Sequence, residues 1–113
     1  MNLAIQKADF FKQDFAIRFA RYVEEAGPDI ARRFQVALDQ SLNKLASRPD
    51  LGRSRLFRNP RLQGLRSLPL ERPFNKILVF YRAEEATFHA VRLIHGARDL
   101  PRRLAEPPDS HLG

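Results

Sequence analysis

The sequence contains no cysteine, which excludes disulfides, thiolate zinc sites and cysteine nucleophiles. Its glycines are isolated from one another, so no glycine-rich loop is available to cradle a phosphate. His89, His95 and His111 show no spacing that would assemble a metal site, and neither a metal nor a cofactor is expected. No apolar run approaches the roughly 20 residues of a membrane span. The first residues, Met1 to Lys7, lack the apolar stretch and small-residue cleavage site of a signal peptide. A cytoplasmic location with no membrane partner follows as the expectation. What remains is enough for one packed core: 113 residues, 43% hydrophobic, with nine Phe. The expected organisation is one domain over residues 1–104 and a flexible tail over 105–113, where His111 lies.

Basic residues outnumber acidic ones, for a net charge of +7. The excess is not spread evenly. Residues 1–47 carry a net charge of +1 and residues 83–113 a net charge of −1, whereas residues 48–82 hold nine Lys+Arg against Asp50 and Glu71. Folding this stretch predicts a positive face able to attract a polyanion or an acidic protein.

Leu3 to Lys7 suits a short strand, with Leu3 and Ile5 on one side. Asp9 is a plausible N-cap for a helix running to about Glu25. Along it Phe11, Phe15, Phe19, Tyr22 and Val23 recur at helical spacing and predict one aromatic stripe. Ala26-Gly27-Pro28-Asp29 then stops and restarts the chain, Gly27 ending one helix and Pro28 opening the next. The second helix is predicted over Pro28–Ser47, burying Ala31, Phe34, Leu38, Ser41, Leu42 and Leu45. A four-residue connection predicts an antiparallel helical hairpin. The basic segment from Arg48 to Pro60 reads as irregular. From Gln63 the period becomes two, with Leu65, Ser67 and Leu70 facing one way and Pro69 and Pro73 limiting the strand. Lys76–Arg82 and Thr87–Ile94 are the clearest strands, joined by a turn at Ala83–Ala86. A short helix or tail follows Arg98. The order is β-α-α-β-β-β: an α+β fold with an N-terminal strand and a two-helix hairpin packed on a small, mainly antiparallel sheet.

A Ser67–His95–Asp99 triad can be assembled only on paper, because nothing marks a nucleophile elbow or oxyanion turn. The remaining constellation is Arg66, Lys76, Tyr81, Arg82, Arg92, His95 and Arg98. Several arginines with a histidine suit binding of a charged target, or positioning of a phosphodiester with His95 as general acid or base. The competing structural reading has Gly96 making a turn, Asp99 capping or pairing with Arg98, and His95 donating to a backbone carbonyl.

Ala26-Gly27-Pro28, Leu45-Ala46-Ser47-Arg48-Pro49 leading to Gly52, and Gly64-Leu65-Arg66 resemble the RelE/ParE superfamily of toxins from bacterial type II toxin–antitoxin modules. The most specific runs are Leu78-Val79-Phe80-Tyr81-Arg82 and Val91 through Asp99. The similarity covers about residues 3–104 and is closer to the ParE branch. It implies two N-terminal helices on a small antiparallel sheet, in agreement with the order read from periodicity. It also offers two activities. RelE-like members cut mRNA in the ribosome, a role that would fall to Arg66, Arg82, Arg92 and His95. ParE-like members inhibit DNA gyrase by binding, without being nucleases. In the ribonucleases a basic residue typically stands three positions before the aromatic ending the central strand. Taking Tyr81 as that aromatic, this chain has Leu78 there, with Lys76 two residues away, and no Tyr follows the last strand. The resemblance therefore implies a ParE-like gyrase inhibitor, with an mRNA endonuclease or a non-toxic antitoxin-binding member as alternatives. Each implies a hetero-oligomer with a cognate acidic antitoxin, whose charge would complement the basic segment. The implied target contacts are Arg66, Lys76, Tyr81, Arg82, Arg92, His95 and Arg98, with Gly27, Pro28, Gly96 and Asp99 shaping turns.

Overall fold

The N-terminal residues form an edge strand. In the computed structural model, which describes residues 2–108, β1 (Ala4–Lys7) lies parallel to the last strand. The pairing is closed by Ala4 N–H donating to the Ala86 carbonyl and Ala8 N–H to the Ala90 carbonyl, both at 2.9 Å. Helix α1 spans Asp9–Ala26. Ala8, not Asp9, is its N-cap; Asp9 sits in the first turn, where its charge favours the positive helix end. Phe11 is buried, and Phe15, Phe19 and Tyr22 are half-buried on the same side. Val23 leaves the predicted stripe and is exposed.

The link to α2 (Pro28–Ser47) is shorter than the expected four residues. Gly27 alone ends one helix and starts the next, its N–H bonding the carbonyls of Tyr22 and Val23. Its φ of +96° is a conformation that glycine adopts at little cost. The predicted buried row of α2 is buried throughout, with Ala46 added. Phe34 organises the aromatic contacts: its ring lies 5.5 Å from Phe15, 5.1 Å from Tyr22 and 5.8 Å from Phe74.

The sheet has order β1-β5-β4-β3-β2. Strands β3 (Arg66–Pro69), β4 (Ile77–Glu84) and β5 (Thr87–His95) form an antiparallel meander. The segment expected to be irregular contributes a two-residue edge strand, β2 (Arg53–Ser54), between single 3₁₀ turns at Pro49–Leu51 and Pro60–Leu62. Central β4 is buried on both faces, as its continuous apolar run requires. One face packs on the helical hairpin through Ile77, Val79, Tyr81, Phe88, Ala90 and Leu93. Leu70, expected beside Leu65 and Ser67, joins this core instead. The opposite face carries a smaller core of Leu62, Leu65, Phe80 and Ile94, closed by Leu100 and Leu104 of helix α3 (Leu100–Ala105).

A bulge separates the two halves of β5. Phe80 pairs with Arg92, but Tyr81 pairs with Ala90, so Val91 is the extra residue. Simple alternation puts Arg92 on the face of Phe88 and Ala90. The extra residue turns it opposite Phe80, toward α3. No helix among the described residues is long and apolar enough to cross a membrane.

Candidate functional site

Arg92 is almost fully buried, with 3% of its surface exposed. Its Nε donates to Asp14 Oδ2 at 2.8 Å and its Nη2 to Asp14 Oδ1 at 3.1 Å. Its Nη1 reaches the carbonyls of Arg103, Leu104 and Glu106 at 2.9, 3.1 and 2.7 Å. Asp14 Oδ2 also accepts the Leu93 N–H at 2.9 Å. One ion pair thus joins α1, β5 and the carbonyl end of α3, where a cation opposes the helix dipole. The guanidinium also lies 5.4 Å from the Phe10 ring centre. Arg92 is accordingly an internal clamp and offers almost no surface to a target.

Tyr81 is also fully buried. Its hydroxyl donates to the Pro49 carbonyl at 2.6 Å and accepts the Gly52 N–H at 2.9 Å, while the ring stacks 4.7 Å from Phe88. Burial pushes the phenol above its ordinary pKa, which keeps the donated proton in place. Nearby, Arg66 Nη1 donates to the Gly52 carbonyl at 2.7 Å. On the other face Arg82 Nη2 and Nε bind the carbonyls of Arg61 and Gln63 at 2.6 and 2.9 Å. Arg55 donates to Ser67 Oγ at 2.8 Å. These half-buried arginines fasten the basic loop to the sheet. Arg53, Arg58 and Arg61 remain exposed on it, as does Leu56, at 95%.

His95 closes β5 at the other end of the sheet. Among the described residues its ring donates to no backbone carbonyl, contrary to the structural reading; its own carbonyl accepts Arg103 Nη2 at 2.7 Å. Burial, followed by the fields of Arg18, Lys76, Arg103 and Arg21, holds the imidazole below its ordinary pKa, favouring the neutral form at pH 7. Gly96 makes the expected turn, at φ +86°, with its N–H on the Lys76 carbonyl. Asp99 stands at the start of α3 without a side-chain cap, and it pairs with Arg102 at 3.6 Å, not with Arg98. Arg98 and Lys76 are exposed.

Beside His95 opens a cleft of about 320 Å³ between α1, the free end of β5 and α3. Arg18, Arg21, Arg102 and Arg103 line it, with Asp14, Arg92 and Glu106. The expectation of a single positive face from residues 48–82 is therefore too simple. The exposed arginines of that stretch surround the β2 loop, Arg72 joins Arg32 and Arg33 beside α2, and the basic cleft is built by arginines from outside the stretch. Among the described residues, no group of three or more His, Asp or Glu is arranged to hold a metal.

The hairpin register separates the residues that would have to cooperate in RNA cleavage. His95 pairs with Ile77, Arg82 with His89, and Arg66 with Tyr81. Counted along β4 at about 3.3 Å per residue, Arg82 lies about 17 Å and Arg66 about 13 Å from the His95 position.

A family model described as ParE toxin of type II toxin-antitoxin system, parDE, matches residues 9–100. The chain belongs to the ParE toxin family. A solved structure described as the chromosomal ParDE TA system from P. aeruginosa is similar, with a TM-score of 0.68 and 19% identity. The alignment covers 84% of this chain and 97% of that one, a likeness of fold. None of the curated proteins matches the sequence. Within this ParE-family fold, sequence reasoning passed over Asp14 and the cleft arginines. Asp14 lies one turn after Phe11 on the inward side of α1, and an acidic residue there signals a buried partner. Arg18 and Arg21, three apart on α1, and the adjacent Arg102–Arg103 on α3 sit in segments whose net charge is close to zero.

Proposed function

We propose that this ParE-family toxin inhibits DNA gyrase by binding and is held inactive by a cognate acidic antitoxin. The observation that carries the reading is the separation and internal use of the basic residues needed for RNA cleavage. Arg92 is enclosed with Asp14, Arg66 and Arg82 bind loop carbonyls, and His95 stands at the far end of the hairpin. Such groups cannot converge on one scissile phosphate without rearrangement. What the surface offers is a place to dock: the loop bearing Arg53, Leu56, Arg58 and Arg61, and the sheet end bearing Lys76, His95 and Arg98. An exposed apolar side chain on a loop that also carries exposed cations suits a partner with an acidic, partly apolar surface. The family name supplies the toxin–antitoxin context, and the net charge of +7 suits an acidic antitoxin.

The test is a supercoiling assay with purified gyrase and the full chain, with and without the product of the adjacent reading frame. Loss of supercoiling, restored by that product, is the expected result. Unaltered supercoiling at saturating toxin, together with new mRNA ends after induction that disappear in His95→Ala, would replace this reading with ribosome-dependent cleavage.

A further inference from the structure

We propose that the cleft between α1, the free end of β5 and α3 is a phosphate-binding site, taking a phosphate monoester or diester at Arg18 and Arg103 beside His95. Its walls bring cations from separate elements to one concavity of about 320 Å³. The carboxylates that line it are already committed. Asp14 holds Arg92 and the Leu93 N–H. Glu106 pairs with Arg102 at 3.2 Å, and Arg102 also meets Asp99. Among the described residues no carboxylate forms an ion pair with Arg18 or Arg103. Arg103 is oriented by the carbonyls of His95 and Arg98, at 2.7 and 3.3 Å, which fix the guanidinium and leave its charge without an anionic partner among the described residues.

The groups facing one another there are crowded by charge. Arg18 is lowered from its ordinary pKa by burial first, then by Arg21 and Arg103, with Tyr22 and Glu25 opposing. His95 is lowered by burial and by Arg18, Lys76, Arg103 and Arg21. A bound anion relieves this repulsion. Cations gathered round one small concavity suit charge concentrated in a single group, and guanidinium N–H groups match phosphate oxygens. An acidic peptide spreads unit charges along its length and would match a longer stripe. The site rests on this geometry and stands or falls separately from gyrase inhibition.

NMR titration of the full chain, following the His95 ring, tests it with three probes at constant ionic strength: inorganic phosphate, AMP, and a DNA duplex lacking terminal phosphates. The expected result is a saturable His95 shift and a raised His95 midpoint with inorganic phosphate. A tighter response to AMP assigns a monoester, and a tighter response to the duplex assigns a diester. Arg18→Gln is expected to weaken binding by at least about tenfold, since it removes charge-assisted hydrogen bonds. Lys44→Gln, exposed on α2, which contributes no residue to the cleft, leaves binding within about twofold because exposed charges outside the cleft are screened. Silence of His95 toward all three probes overturns the site. So does a polyglutamate peptide acting at lower concentration than phosphate, or affinity unchanged in both Arg18→Gln and Arg103→Gln.

Discussion

Replacing Asp14 by Asn tests the clamp on which the placement of α3 depends. The side chains of Arg92 and Asp14 are 4% and 7% exposed, so the substitution leaves a guanidinium charge buried without its counter-charge. Breaking such a pair costs about 3–5 kcal/mol. Here the carbonyls of Arg103, Leu104 and Glu106 still hold Nη1, which places the expected loss near the lower end, about 3 kcal/mol. With an unfolding entropy of about 2.1 cal/mol/K per residue, a chain of this size should melt about 12 °C lower. Urea denaturation of the full chain followed by circular dichroism measures the loss directly. Asp14→Leu combined with Arg92→Met removes both charges. It should be less damaging than the sum of the single changes by at least about 2 kcal/mol, because neither leaves the other stranded. A loss below about 1 kcal/mol in Asp14→Asn, or strict additivity in the cycle, would refute the buried-pair account.

Tyr81→Phe leaves the Gly52 N–H and the Pro49 carbonyl without their partner and should cost about 1–3 kcal/mol in the same denaturation assay. Gly52→Ala should cost at least as much, since a Cβ there would stand 2.2 Å from the Tyr81 hydroxyl oxygen and the packed ring has nowhere to move. For His95 the folded-state pKa lies below the unfolded value, so the unfolded chain takes up the proton first. Stability should therefore fall as pH drops through about 6.5 and hold above it, and His95→Gln should flatten that slope in melts from pH 5 to 8. Leu56→Ser should leave the urea midpoint unchanged, because the side chain is 95% exposed, while weakening gyrase inhibition; full inhibition by the variant would remove the β2 loop from the contact surface.

Local patterns carried much of this fold. The α2 row from Ala31 to Leu45 is legible because every member obeys one helical period and faces one neighbour. The β4 run is legible because its apolar residues are continuous. Val23 departs from its stripe because each four-residue step advances about 40° round the helix, which leaves it about 120° from Phe11 and exposed. Arg92, expected as a target contact, is enclosed instead: the unpaired residue at Val91 turns it toward α3, and no side chain announces a bulge. Its partner Asp14 lies 78 residues away in the chain, beyond any local pattern. The cleft beside His95 was hidden likewise, because regional net charge averages away arginines that topology later brings together.

The edge of β5 is covered piecewise, by β1 as far as Ala90, by the Asp14 carboxylate at Leu93 and by Arg103 at His95. The first of these covers lies ahead of the family-matched region, which begins at residue 9. A version trimmed to residue 9 would expose the backbone of Thr87–Ala90 as a template for intermolecular strand addition. Proteolytic nicking that removes the first eight residues would also take away Leu3 and Ile5, which pack against the hairpin core, and would favour self-association of the chain through the bared edge.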